Sequence, residues 1–150
     1  MGDVDAALNR RTSAALSVLR VVAAYLYLQH GTAKLLHVPH VAMFDQLQVL
    51  SVDGIAGVLE IVGSLLLLLG LFTRPVAFIL CGEMAIAYFV AHAPQGNFFM
   101  PALNGGEEAV LYCFIFLFFA LAGGGSWSLD ALLARRVAAG SGHGAGTRRS

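Results

Sequence analysis

The sequence predicts an all-α fold, an integral membrane four-helix bundle followed by a short amphipathic C-terminal helix. Three observations predict it. Of 150 residues, 58% are hydrophobic and only 12% are charged, whereas a soluble domain carries about 25% charged residues. The apolar residues gather into four long runs, and the mean hydropathy is +0.76. The basic residues fall toward one side of those runs, with only Lys34 toward the other, so a formal net charge of zero conceals a strong asymmetry along the chain.

The first run extends from Ala14 to Leu36, the second from Gly54 to Phe72, the third from Pro75 to Ala93 and the fourth from Asn104 to Ala122. Each is close to the ~20 residues that cross a bilayer core as a helix. Lipid leaves every backbone polar group to be satisfied within the chain, which makes helices the reading for such runs. A membrane barrel needs alternating segments, and Leu65 to Leu69 do not alternate. The first run carries Arg20, Gln29 and His30 and has no small-x-small cleavage site after it, so it reads as a retained helix. Residues 1–13 precede the four-helix domain of 14–122. Trp127 is placed as an interfacial anchor. Leu129, Leu132, Leu133 and Val137 recur at helical spacing beside Arg135 and Arg136, which predicts an amphipathic surface helix within 123–139. The Gly/Ser/Arg-rich residues 140–150 read as a disordered tail.

Orientation follows from the arginines. Arg10 and Arg11 precede the first run, Arg74 lies between the second and third, and Arg135, Arg136, Arg148 and Arg149 follow the fourth. The positive-inside rule places both termini and the Arg74 turn in the cytoplasm, with the loops 37–53 and 94–106 outside.

Ionisable residues inside the runs carry the functional reading, because a charge at mid-helix costs roughly 2.5–3.5 kcal/mol on insertion scales and faces a bundle interior or cavity. They are Arg20, His30 and Lys34 in the first run, Glu60 in the second and Glu83 in the third, with Glu107 and Glu108 opening the fourth. Arg20, Ala24, Tyr27, Gly31 and Lys34 share a stripe about 80° wide, flanked by His30. Glu60 shares a face with Ala56, Gly63 and Gly70, and small residues mark close helix approach. At ~1.5 Å rise per residue, His30, Lys34, Glu60, His92 and Glu107 fall in the outer half, with Glu83 and Arg20 deeper. Such a cluster serves either as acid–base machinery or as ion pairs that fix the packing.

Four local patterns accompany this cluster. Gln29-His30-Gly31-x-x-Lys34 closes the first run, and Gly57-x-x-Glu60 lies in the second. Gly70-Leu71-Phe72-Thr73-Arg74-Pro75 leads to Gly82-Glu83-Met84, and Asn104-Gly105-Gly106-Glu107 precedes the fourth run, with Trp127-Ser128-Leu129-Asp130 after it. In order and spacing they resemble the DoxX family of bacterial and archaeal four-helix membrane proteins, over roughly residues 14–133. The family's name derives from association with a quinone-linked thiosulfate-oxidising complex, and its members are described as oxidoreductases, some tied to oxidative-stress or sulfur redox partners. The resemblance implies a subunit or partner of a membrane redox system in the bacterial cytoplasmic (inner) membrane. By position it implies a polar site at His30, Lys34, Glu60, Glu83, Asn104 and Glu107.

A concrete chemistry follows for a membrane quinone. His30 or Lys34 against Glu60, with Glu83, supplies acid and base groups. Tyr27 or the phenylalanines of the fourth run flank the ring, and the amides at Asn104–Glu107 hold an anionic oxygen. The plainer reading of Asn104 and Glu107 is a capping box. Other chemistries find little support. Cys81 and Cys113 lie inside helices, outside any Cys-x-x-Cys, and read as buried inert thiols. His37-x-x-His40 lacks a second ligand pair for a metal, and no feature demands a haem between His30 and His92. Neither a nucleotide loop nor a basic nucleic-acid patch is present. The expected partners are therefore the lipid bilayer, redox proteins and a second copy of the chain. Two competing functions are a small-solute or proton transporter using Glu60, Glu83 and Lys34, and a membrane scaffold for soluble redox enzymes.

Overall fold

The structure, a computed structural model, describes residues 2–143, and these are mostly helical with no strand among them. Helix α1 runs Gly2–Leu36, α2 Val52–Leu69, α3 Thr73–Ala87, α4 Glu107–Ala122 and α5 Leu129–His143. A π-helical turn, Tyr88–His92, continues α3. Three segments are long and apolar enough to cross a membrane, namely Asp5–Leu36, Val52–Leu69 and Thr73–Gln95. At 16 residues, α4 spans about 24 Å, short of the ~30 Å hydrocarbon core.

The boundaries differ from the hydropathy reading at three places. Helix α1 begins at Gly2, not Ala14, because Ala6 to Arg11 are mostly good helix formers and no proline or glycine interrupts them. At about 52 Å it is longer than a bilayer core requires. Helix α4 starts at Glu107, since the Asn104-Gly-Gly segment is spent on a turn. Helix α5 continues through Gly140 to His143; the remainder of the tail expected over 140–150 lies outside the described residues.

Helix α1 packs along α2, α3 along α4, and α2 against α3, while α1 and α4 touch less extensively. Ala23, Ala24, Tyr27, Leu67, Leu80, Phe116 and Phe119 are buried between them. Outward-facing positions are apolar too, among them Val22, Leu26, Ile79, Ile86, Phe114 and Leu121. A surface of that kind suits lipid. There the helices gain little from hydrophobic burial, and close packing and interhelical hydrogen bonds must hold them together.

A clasp at one end does so. Gly70 sits at φ 67° and ends α2, with the Leu71 amide donating to the Leu66 carbonyl at 3.0 Å, a left-handed glycine cap. A Cβ on Gly70 would meet that of Ser128 at 2.5 Å. Arg20, fully buried on α1, donates to the Leu67 carbonyl and to those of Leu68 at 2.8 Å, Gly124 at 2.9 Å and Trp127 at 2.7 Å. It thereby satisfies carbonyls left over at the end of α2 and in the α4–α5 connection. In return Asp130 accepts from the amides of Phe72 and Thr73, both at 2.9 Å, capping α3. The turn Gly70–Pro75 and the segment Trp127–Asp130 are therefore two halves of one device. Arg20, expected near the polar cluster, belongs to this clasp, because its five donors find carbonyls rather than a carboxylate.

Candidate functional site

Close approach of α1 and α2 builds the first part of the site. A Cβ on Gly31 would stand 2.8 Å from the Gly57 carbonyl oxygen and 2.9 Å from the Ile61 nitrogen, so only glycine lets the two backbones meet there. With the helices that close, Lys34 Nζ donates to Glu60 Oε1 at 2.7 Å. The pair is asymmetric: the lysine side chain is 15% exposed and the glutamate 2%. Glu60 Oε2 has no hydrogen-bond partner among the described residues, and neither does Ser64 Oγ one turn further along α2.

The second part joins α1 to α3. The Tyr27 hydroxyl donates to Glu83 Oε2 at 3.2 Å, while Glu83 Oε1 is unpartnered among the described residues. Glu60, Lys34 and Glu83 lie within electrostatic reach of one another. Two acids, one lysine and one phenol thus converge inside the helices, as their periodicity predicts.

Aromatic rings form the third part. Tyr27 is buried, and its ring centroid lies 4.8 Å from that of Phe116, 5.0 Å from Tyr112 and 5.9 Å from His30. His30 meets Tyr112 edge-on at 5.8 Å. Tyr27 and Phe116 are in contact, so no ring-sized gap separates them. Space opens instead on the other side of His30 and Tyr112, in a cavity of about 480 Å³. Leu26, Gln29, His30 and Ala33 of α1, Pro39, Val41, Met43 and Phe44 of the α1–α2 loop, and Glu108 and Tyr112 of α4 supply its walls. Tyr27 therefore bridges two regions. Its ring backs the cavity wall and its hydroxyl reaches the buried carboxylates.

Asn104 and Glu107 stand apart from this assembly. Asn104 is buried and organises the loop before α4. Its Nδ2 donates to the Gly96 carbonyl at 3.3 Å and to the Tyr88 hydroxyl at 3.4 Å, and its Oδ1 accepts from the Gly106 amide at 3.0 Å. The expected capping box does not form: Gly106 is the N-cap of α4 and no side chain caps it. Asn104 sits two residues before the N-cap and closes a local turn instead. Glu107 is exposed on the first turn of α4. The Tyr88 hydroxyl donates to the Phe98 carbonyl, and His92 Nδ1 is 3.2 Å from the Asn104 carbonyl, so the π-helical turn and this loop brace each other. His40, of the His37–His40 pair in the α1–α2 loop, meets Asp45 at 2.9 Å.

Two features escaped the sequence reading. Glu108 and Tyr112, one helical turn apart, were visible only as part of an apolar run with an acidic start. Cys81 and Cys113, 32 residues apart, bring their sulfur atoms to 3.6 Å across the α3–α4 contact. Nothing in their separate surroundings signals that pairing.

A family model described as DoxX matches residues 15–93, which take in α1 from Ala15 onward, α2 and α3, and hence Tyr27, His30, Lys34, Glu60 and Glu83. A protein of Haemophilus influenzae, described as uncharacterized, is 50% identical over 122 residues, covering 77% of this chain and 87% of its own length. No solved structure matches.

Proposed function

We propose, from the premise that this chain belongs to the DoxX family, that it is the quinone-facing membrane subunit of a redox system. On this reading it crosses the bacterial inner membrane four times with both termini in the cytoplasm, α4 completing its span through the loop turns before Glu107. The arginines at positions 10, 11, 74, 135 and 136 support that orientation.

The observation that carries the proposal is the cavity walled by His30, Glu108 and Tyr112 and backed by Tyr27. Its ~480 Å³ lie within the range of small-molecule sites, and it joins apolar walls to a few polar groups. Those residues suit a quinone head group. Leu26, Ala33, Val41, Met43 and Phe44 offer apolar cover, and His30, Gln29 and Tyr112 offer donors for the ring oxygens. A bound quinone supplies a two-electron, two-proton acceptor. The protein's own part is to hold and move protons. Tyr27 links the cavity wall to Glu83, and the Lys34–Glu60 pair lies within electrostatic reach of Glu83. Electrons come from a partner redox protein.

Quinone carried through purification tests this reading. Lipid extracts of the wild-type protein should contain quinone near one per chain, His30→Ala should lose it, and Glu60→Gln should keep it while its turnover falls. Extracts without quinone from wild-type and variant alike would refute the reading.

A second reading has its own support. Glu60 Oε2, Ser64 Oγ and Glu83 Oε1 are buried polar atoms with spare hydrogen-bonding capacity, along the α2–α3 side of the cluster. Such a seam suits a proton or small-solute path. Proton flux in liposomes that disappears in Glu83→Gln, with no quinone bound, would favour it.

A further inference from the structure

The two cysteines of the chain meet. Cys81 Sγ on α3 lies 3.6 Å from Cys113 Sγ on α4, and both residues are half-buried, neither sealed in the core nor open to the loops. Cys81 follows Thr73 by eight residues and Cys113 follows Glu107 by six. At ~1.5 Å per residue the thiols stand about 12 Å and 9 Å from the starts of their antiparallel helices. That depth is inside the apolar belt.

We propose that Cys81 and Cys113 form a reversible disulfide within the membrane, with a lipid-soluble quinone as oxidant. Closure needs a modest approach of the sulfurs, from 3.6 Å to a bond length of ~2.05 Å, between helices that are already packed. Position selects the oxidant. Charged aqueous disulfides and thioredoxin-like proteins do not enter the hydrocarbon core, whereas a quinone resides there. The reaction balances without a further reagent. Two S–H bonds break and one S–S bond forms. The two electrons and two protons released pass to the two quinone oxygens, giving a quinol. The product ties α3 to α4, the helix that carries Glu108 and Tyr112. This inference goes beyond the proposed function, because the thiols are not among the residues that wall the His30 cavity and need no partner protein.

The test uses the full chain, reduced and embedded in lipid nanodiscs, and treated with a short-chain ubiquinone or with oxidised glutathione. Intact mass and maleimide labelling after denaturation read the thiols. Ubiquinone should remove two hydrogens from the wild-type mass and block labelling of both cysteines, and dithiothreitol added in detergent should restore both. Oxidised glutathione in the aqueous phase should leave both thiols labelled. Cys81→Ser and Cys113→Ser should each keep one labelled thiol and an unchanged mass. His30→Ala should still form the disulfide, so this claim and the quinone-cavity claim fail separately. Two fully labelled thiols in wild type after ubiquinone, or equal oxidation by glutathione, would overturn the proposal.

Discussion

Removing Lys34 and removing Glu60 should have very different consequences, because the pair is buried unevenly. Lys34 lies two residues from the end of α1 with a side chain 15% exposed, while Glu60 is 2% exposed in mid-structure. Lys34→Met strands the carboxylate, whose second oxygen already lacks a partner among the described residues. Breaking a buried pair from that side costs about 3–5 kcal/mol. Glu60→Gln leaves a lysine that can extend its ammonium toward the interface, which limits the loss to about 1 kcal/mol. Interhelical hydrogen bonds in membranes average about 0.6 kcal/mol because the unfolded chain finds partners too. The lysine variant should exceed that figure because it leaves a whole charge unpaired. Replacing both residues with methionine removes the stranded group, so the double variant should recover at least about 2 kcal/mol relative to Lys34→Met. Unfolding by sodium dodecyl sulfate in mixed micelles, followed by circular dichroism, measures all three. Equal losses for the two single variants, or a double variant worse than Lys34→Met, would refute the asymmetric-burial argument.

Other expectations follow from the same geometry. Arg20→Met removes four hydrogen bonds to carbonyls and should destabilise the fold by about 2–6 kcal/mol, from the membrane and charged-bond figures; the same unfolding assay reads it. Asp130→Ala uncaps α3 and should cost about 1 kcal/mol, visible as faster hydrogen exchange at Phe72 and Thr73. Gly31→Val drives a side chain into the α2 backbone and should separate Lys34 from Glu60, lowering the yield of folded protein while a surface change such as Leu121→Val does not. A fluorescent protein fused after Ser150 should fold and shine in a bacterial host if the C-terminus is cytoplasmic, and stay dark if it is exported.

The sequence made some of this legible and hid the rest for physical reasons. Helical periodicity was enough to bring Tyr27, Lys34, Glu60 and Glu83 together, since a costly charge in an apolar run has only the interior to face. Arg20 obeyed the same rule and still went elsewhere. Periodicity gives the face of a helix, not which carbonyls an arginine will find at its depth. Asn104 looked like a helix cap because its residue type is right, but Gly105 and Gly106 let the chain turn before the helix could start. The Cys81–Cys113 contact and the cavity walled by Glu108 and Tyr112 depend on the rotation of α4 against its neighbours. That rotation is poorly encoded in a run as uniformly apolar as Leu111–Ala122, where no face stands out.

The most direct test of the account is the quinone content of the purified protein, measured by mass spectrometry of lipid extracts from wild type beside His30→Ala. The account predicts near-stoichiometric quinone in wild type and its loss in the variant, with the fold intact by circular dichroism. Equal quinone in both, or none in either, would contradict a redox site at the His30–Tyr112 cavity.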